Sequence, residues 1–123
     1  MRWLIPLLFL SPGCAKTVTQ SGITSWYGAE LAGRPTASGE PFRPSHRTAA
    51  HRSLPFGTVL LVRRPDNGRQ VKVVINDRGP GIESRVLDVS RRAARRLDMI
   101  KDGLADIEII VVGCRSRYED CQR

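Results

Sequence analysis

The sequence predicts a mainly β fold in which about six short strands and one helix close into a small barrel. Three observations carry this expectation. Short runs of β-branched residues recur between turn signals, as in Thr58-Val59-Leu60-Leu61-Val62 and Arg85-Val86-Leu87-Asp88-Val89. Only the segment after Ser90 has helical periodicity, with Ala93, Ala94 and Leu97 on one face and Arg91, Arg92, Arg95 and Arg96 facing outward. Finally, Val73-Val74-Ile75-Asn76-Asp77 reads as a buried strand that runs into Gly79-Pro80-Gly81. A rigid strand thus presents Asp77 at a loop mouth, where a catalytic carboxylate is commonly found. An acid at such a place also serves as a plain turn residue bonding its own backbone, and spacing alone leaves both roles open.

The N-terminus has one positive charge, Arg2, followed by an apolar stretch to Leu10. That stretch is far shorter than the roughly 20 residues a spanning helix needs, so residues 1–13 read as a secretory signal. Leu10-Ser11-Pro12-Gly13-Cys14 resembles a bacterial lipobox, which would lipidate Cys14 and leave residues 14–21 as a tether. Plain signal cleavage and a free Cys14 are the alternatives.

The globular part then runs over residues 22–113. Gly22–Gly28 is the first strand, and Glu30–Ser45 is a long loop rich in Gly and Pro without any period. Thr48–His51 is a short small-residue segment, and Leu54-Pro55-Phe56-Gly57 is a turn. Strands over Thr58–Arg64 and Gln70–Asn76 form a hairpin across Asn67-Gly68, whose positive φ angles suit a tight turn. Arg85–Val89 and, after the helix, Asp106–Val112 complete the strands. Residues 114–123 form a tail.

Size and charge bound the function. A chain of 123 residues holds one domain, and a net charge of +8 suits nucleic acid, anionic lipid or acidic wall polymer alike. With Cys14 removed by lipidation, Cys114 and Cys121 remain as an even pair in an exported chain, and a bond between them would fasten the tail.

Glu40 on the long loop, His51 and Asp77 are the candidate acid–base groups, since burial or a neighbour moves such pKa values towards neutrality. Their surroundings sharpen this. Gly22-Ile23-Thr24-Ser25-Trp26-Tyr27-Gly28, Gly33-Arg34-Pro35-Thr36-Ala37-Ser38-Gly39-Glu40, Thr48-Ala49-Ala50-His51, Leu54-Pro55-Phe56-Gly57-Thr58, Asn67-Gly68-Arg69, Val74-Ile75-Asn76-Asp77-Arg78-Gly79-Pro80 and Leu87-Asp88-Val89-Ser90 occur in the order and spacing of the rare lipoprotein A family, which the chain resembles from about Gly22 to Val112. The resemblance implies a six-stranded double-psi β-barrel related to expansins and to family-45 endoglucanases. It also implies a lytic transglycosylase of peptidoglycan that prefers glycan strands stripped of stem peptides. Carried over, the catalytic acid falls on Asp77, an orienting or tuning histidine on His51, and a hydroxyl-binding carboxylate on Glu40.

Substrate contacts are expected from Trp26 and Tyr27, of which alternation lets one be core and one exposed, with Tyr27 reaching the groove. Ser38 and Asn76 lie in the same motifs. Arg34 and Arg78 either touch acetamido or lactyl groups or bond loop carbonyls. Gly81 stands where the family often has a larger residue, which would widen the cleft floor. The glycan-binding repeat domain of many relatives does not follow the barrel, so septal targeting through it is not implied.

The expected setting is a monomer in a bacterial envelope, lipid-anchored through Cys14 and facing the periplasm. No cofactor or metal is expected, since His46, His51 and an acid at irregular spacing make a poor zinc set. A non-catalytic, expansin-like wall-binding module is the main rival, against which stands the presence of both His51 and Asp77. Nucleic-acid binding by the arginine-rich helix is the other; the export signal argues against it, and that face suits anionic lipid or wall polymer instead.

Overall fold

The computed structural model describes residues 18–115, 117, 118 and 121; the expected signal segment and Cys14 lie outside the described residues. Six strands are β1 (Gln20–Trp26), β2 (Thr48–Ala50), β3 (Thr58–Arg64), β4 (Arg69–Asp77), β5 (Arg85–Val89) and β6 (Leu104–Cys114), with helix α1 (Arg91–Arg96) between the last two. They close in the order β1-β5-β2-β4-β3-β6, and β6 returns to β1. The β1–β5 and β2–β4 pairs are parallel, and the others are antiparallel. This is the double-psi β-barrel.

Period-two alternation builds the core. Val71, Val73 and Ile75 of β4, Leu60 and Val62 of β3, and Ala105, Ile107 and Ile109 of β6 are buried, whereas the intervening Lys72 is exposed. Residues Ala93, Ala94 and Leu97 are buried against this core and the four helix arginines are exposed, as the helical period predicts. Ser90 caps α1: its Oγ accepts from Ala93 N at 3.3 Å and donates to His46 O at 2.5 Å.

The turn between β3 and β4 carries only one of the two positive φ angles that Asn67-Gly68 suggests. Arg64 pairs with Arg69, so the loop holds four residues, and of the Asn-Gly pair only Gly68 has positive φ (74°). Asn67 donates through Nδ2 to Leu97 O at 3.2 Å. Arg64 Nη1 donates to Leu97 O and Asp98 O (3.1 and 2.8 Å), and Arg69 Nε to Arg96 O (2.7 Å). The hairpin thus satisfies carbonyls that the helix end leaves unpaired.

The short strand β2 positions the functional end. Ala49 pairs with Ile75 and Val89, whereas Ala50 pairs with Asp77 and Asp88. The β2–β4 register slips at this step, leaving Asn76 unopposed, and such a bulge bends a strand and re-aims its side chains. Asp77 closes β4, one residue beyond the end that the sequence suggests.

Leu60 is fully buried in the barrel. Leu60→Ala should lower unfolding stability by about 2–5 kcal/mol, read as a lower denaturant midpoint with an unchanged slope.

Candidate active site

Asp77 stands half-buried at the mouth of the barrel. Its Oδ1 accepts the amide N–H of Arg78 (2.8 Å) and that of Ala37 (2.9 Å) from the long loop. The loop is stitched to the same strand by Ser38 N donating to Asn76 O at 3.2 Å. Both acceptor positions on Oδ1 are taken by backbone, and among the described residues nothing bonds Oδ2. One oxygen therefore fixes the carboxylate, and the other is left for a ligand.

A second acid shares this end of the barrel. Asp88, on the far side of Ala50, accepts a hydrogen bond from Ser25 Oγ. Asp77 and Asp88 both bear on the Tyr27 phenol, whose pKa is raised strongly by burial and then by these two charges. The Tyr27 ring packs on Phe42 with centroids 4.5 Å apart, and its hydroxyl is buried without a partner among the described residues. The expectation that Tyr27 reaches an open groove is thereby corrected: its hydroxyl is covered and Trp26 packs against the core, so neither ring is fully exposed. Tyr27 lies beyond the end of β1, where strict alternation no longer holds.

His51 follows Asp77 in backbone but not in side chain. Its amide N donates to Asp77 O at 3.1 Å. The imidazole Nδ1 accepts from Ser53 N and Leu54 N, both at 3.1 Å, so the proton sits on Nε2, which donates to Gln20 Oε1 at 3.0 Å. Burial, then the charges of Arg78 and Arg52, push its pKa below the usual value. No side-chain bond joins it to the Asp77 carboxylate, so His51 acts here by holding the turn that frames Asp77.

Glu40 is engaged by the tail. Cys114 and Cys121 are disulfide-bonded, with Cα atoms 5.7 Å apart. Arg117 Nη2 lies 3.0 Å from Glu40 Oε2, and the Tyr118 hydroxyl donates to Oε1, which Ser38 Oγ also approaches at 3.5 Å. Thr36 closes the loop, its Oγ1 donating to Glu40 O (2.8 Å) and lying 2.9 Å from Ser38 Oγ. The tail packs on Gly57, whose φ of 94° and contact with Tyr118 leave no room for a side chain.

Of the expected arginines, Arg78 donates to His51 O (3.1 Å) and Leu54 O (2.8 Å) and stacks 4.0 Å from the Phe56 ring centre. Its guanidinium goes to loop carbonyls rather than outward to a substrate. Arg34 is exposed on the loop, and Gly81 is exposed with open space about it. Among the described residues no three His, Cys, Asp or Glu side chains gather as a metal site.

Beside Asp77 lies a cleft of about 680 Å³, lined by Glu40, Asn76, Thr48 and Tyr118 together with several arginines. Asp77 itself is not in its wall; the 36–40 loop joins the two. Sequence reasoning missed Asp88, Gln20, Arg117 and Tyr118. An acid inside an otherwise apolar strand is the signal that marks Asp88; nothing in the sequence places the tail residues against Glu40.

A closed barrel with two parallel pairs and a carboxylate at its mouth defines the class: a double-psi β-barrel with a candidate acid site. Residues 19–109 match the lytic transglycolase family, and the chain belongs to it. A Nostoc protein named a probable endolytic peptidoglycan transglycosylase RlpA is 56% identical over 94 residues, covering 75% of this chain and 25% of that protein. The Campylobacter jejuni endolytic peptidoglycan transglycosylase RlpA is 44% identical over 95 residues, covering 77% and 34%. The chain therefore spans a quarter to a third of the length of these curated relatives. Among solved structures, the apo expansin of Clavibacter michiganensis superposes with a TM-score of 0.60 at 27% identity, over 76% of this chain and 50% of that one. The Streptomyces papain inhibitor, at 0.61 and 21% over 80% and 100%, shares the fold.

Because His51 has a lowered pKa in the fold, the unfolded chain takes up a proton that the folded chain resists. Its contribution is complete above the imidazole's ordinary 6.5 and is lost as pH falls through the folded value. Stability should therefore decline as pH falls below the imidazole's ordinary 6.5, and His51→Asn, whose Oδ1 can replace Nδ1 as acceptor, should flatten that slope in denaturant titrations.

Proposed function

We propose that this barrel is a lytic transglycosylase that cleaves the bond between MurNAc C1 and the GlcNAc O4 oxygen in peptidoglycan strands stripped of stem peptides. The observation that carries the reading is the Asp77 carboxylate, pinned through Oδ1 by two amides with Oδ2 left unbonded, within the matched part of the family. The Asp77 carboxyl gives its proton to the leaving GlcNAc oxygen as the C1–O4 bond breaks. The MurNAc C6 hydroxyl then closes on C1, and the same carboxylate takes the hydroxyl proton. The product is a 1,6-anhydro ring, no water is consumed, and Asp77 returns to its starting state. One group thus serves as acid and then as base.

The other residues support this step. Glu40 binds or polarises sugar hydroxyls from the cleft side, and exchange of its Tyr118 and Arg117 partners for substrate hydroxyls accompanies binding. His51 keeps the 51–54 turn in place. Asp88, held by Ser25, adds negative charge that would stabilise the cationic character developing at C1. The setting that fits is the envelope, with the chain held through a lipid on Cys14 and facing the periplasm as a monomer.

A second reading, a wall-binding module without catalysis, draws on one observation: the His51 imidazole is bonded away from the Asp77 carboxylate. The two readings separate on one variant. Asp77→Asn should cut release of soluble fragments from stripped glycan by about 10²–10⁴-fold while leaving glycan binding within a few-fold. Full activity in that variant would remove Asp77 from the mechanism, and no activity in the unaltered protein with binding intact would favour the module. Glu40→Gln should act mainly on KM, with a smaller change in kcat.

A further inference from the structure

The cleft beside Glu40 carries far more positive charge than one glycosidic cleavage calls for. Arg43, Arg47, Arg92, Arg115 and Arg117 all line it. Arg117 is paired with Glu40, and Arg92 gives an N–H to Ser45 O at 3.1 Å. Among the described residues Arg43, Arg47 and Arg115 have no carboxylate partner, and all three are exposed. Two further side chains in the lining, Thr48 Oγ1 and Asn76 Oδ1, are buried without a hydrogen-bond partner, and Asn76 is only 4% exposed.

Unpaired guanidiniums gathered in one concave site repel each other and focus a positive field on whatever enters. The volume falls within the ~300–1,000 Å³ that ligand pockets occupy. Guanidinium forks suit carboxylates, which they bind through two parallel N–H bonds. One wall of the cleft, formed by Arg115, Arg117 and Tyr118, is tail that the Cys114–Cys121 bridge holds and that lies beyond the matched residues 19–109. The other wall is the 40–48 segment, which leads directly to the Asp77 loop.

We propose that this cleft is an anion subsite for carboxylates on the glycan itself. The inference rests on the glycan-cleaving reading and deepens it. A stem peptide is joined to muramic acid through an amide at its lactyl group, which removes the charge there. Loss of the peptide frees a carboxylate held close to the sugar ring. A cleft of unpaired arginines next to Glu40 recognises that charge, so stripped strands are chosen by an attraction that substituted strands lack at that position. Thr48 Oγ1 and Asn76 Oδ1 complete the subsite by meeting neighbouring sugar hydroxyls.

The test compares two forms of one ligand. Stripped glycan strands, and the same strands with their lactyl carboxylates amidated by carbodiimide coupling, are titrated against the full chain carrying Asp77→Asn, so that binding is read without cleavage. Amidation should weaken binding by about ten-fold or more, in line with loss of charge-assisted hydrogen bonds. Arg43→Gln, Arg47→Gln and Arg115→Gln should each weaken binding to untreated strands, and the triple variant should bind both forms equally. In chains that retain Asp77, the same changes should raise KM and leave kcat nearly constant. Equal binding of both forms by the parent chain would overturn the proposal. So would amidation sensitivity that survives in the triple variant, or dependence on these arginines seen only with phosphatidylglycerol vesicles. Amidation-sensitive binding in a chain that makes no anhydro product would instead sink the cleavage reading and leave the subsite standing.

Discussion

The site depends on a three-residue strand gripped from both sides. β2 runs parallel to β4 and antiparallel to β5, so Ala50 is paired at once with Asp77 and Asp88. Ala49 and Ala50 are buried almost completely. The slip of register beside Ala50 leaves Asn76 unopposed and ends the β4 ladder at Asp77. The backbone bond from His51 N to Asp77 O carries the pairing one residue further. Two acids thereby emerge at one end of a rigid barrel, and loops are needed only to surround them.

Each acid at that end is satisfied by a different kind of donor, and the difference suits different work. Asp77 takes amide N–H groups on one oxygen only, which fixes its orientation and leaves the other oxygen open. Asp88 takes a hydroxyl from Ser25 within the barrel wall. Glu40 takes a phenol and a guanidinium from the tail. The buried phenol of Tyr27 is held in its neutral form by burial first and then by the charges of the first two acids. Bonds of the backbone type are the most rigid, and they sit on the residue for which geometry matters most.

The strands and the helix were legible because they follow simple periods. Val71, Val73 and Ile75 alternate as a half-buried strand must, and Ala93, Ala94 and Leu97 mark one helical face. The position of Asp77 at the end of a strand was legible from the run into Gly-Pro-Gly. What escaped was whatever depends on side chains meeting across long sequence separations. The imidazole of His51 turns to Gln20, 31 residues away, and Tyr118 reaches Glu40 across 78. Neither meeting has a periodic signature. Tyr27 was misplaced because alternation was extended one residue past the end of β1, where the chain already leaves the sheet. Asn67 does not take the positive φ expected of the Asn-Gly pair, and its side-chain amide closes the end of α1.

Everything proposed for Asp77 comes to one step: it breaks the glycosidic bond and the sugar's own C6 hydroxyl, not water, completes the reaction. Mass spectrometry of stripped peptidoglycan strands after incubation with the full chain tests this most directly. The expected products are new 1,6-anhydro-MurNAc ends, one water lighter than hydrolysed ends, that disappear with Asp77→Asn. Reducing ends from the unaltered protein, or strands left intact, would contradict it.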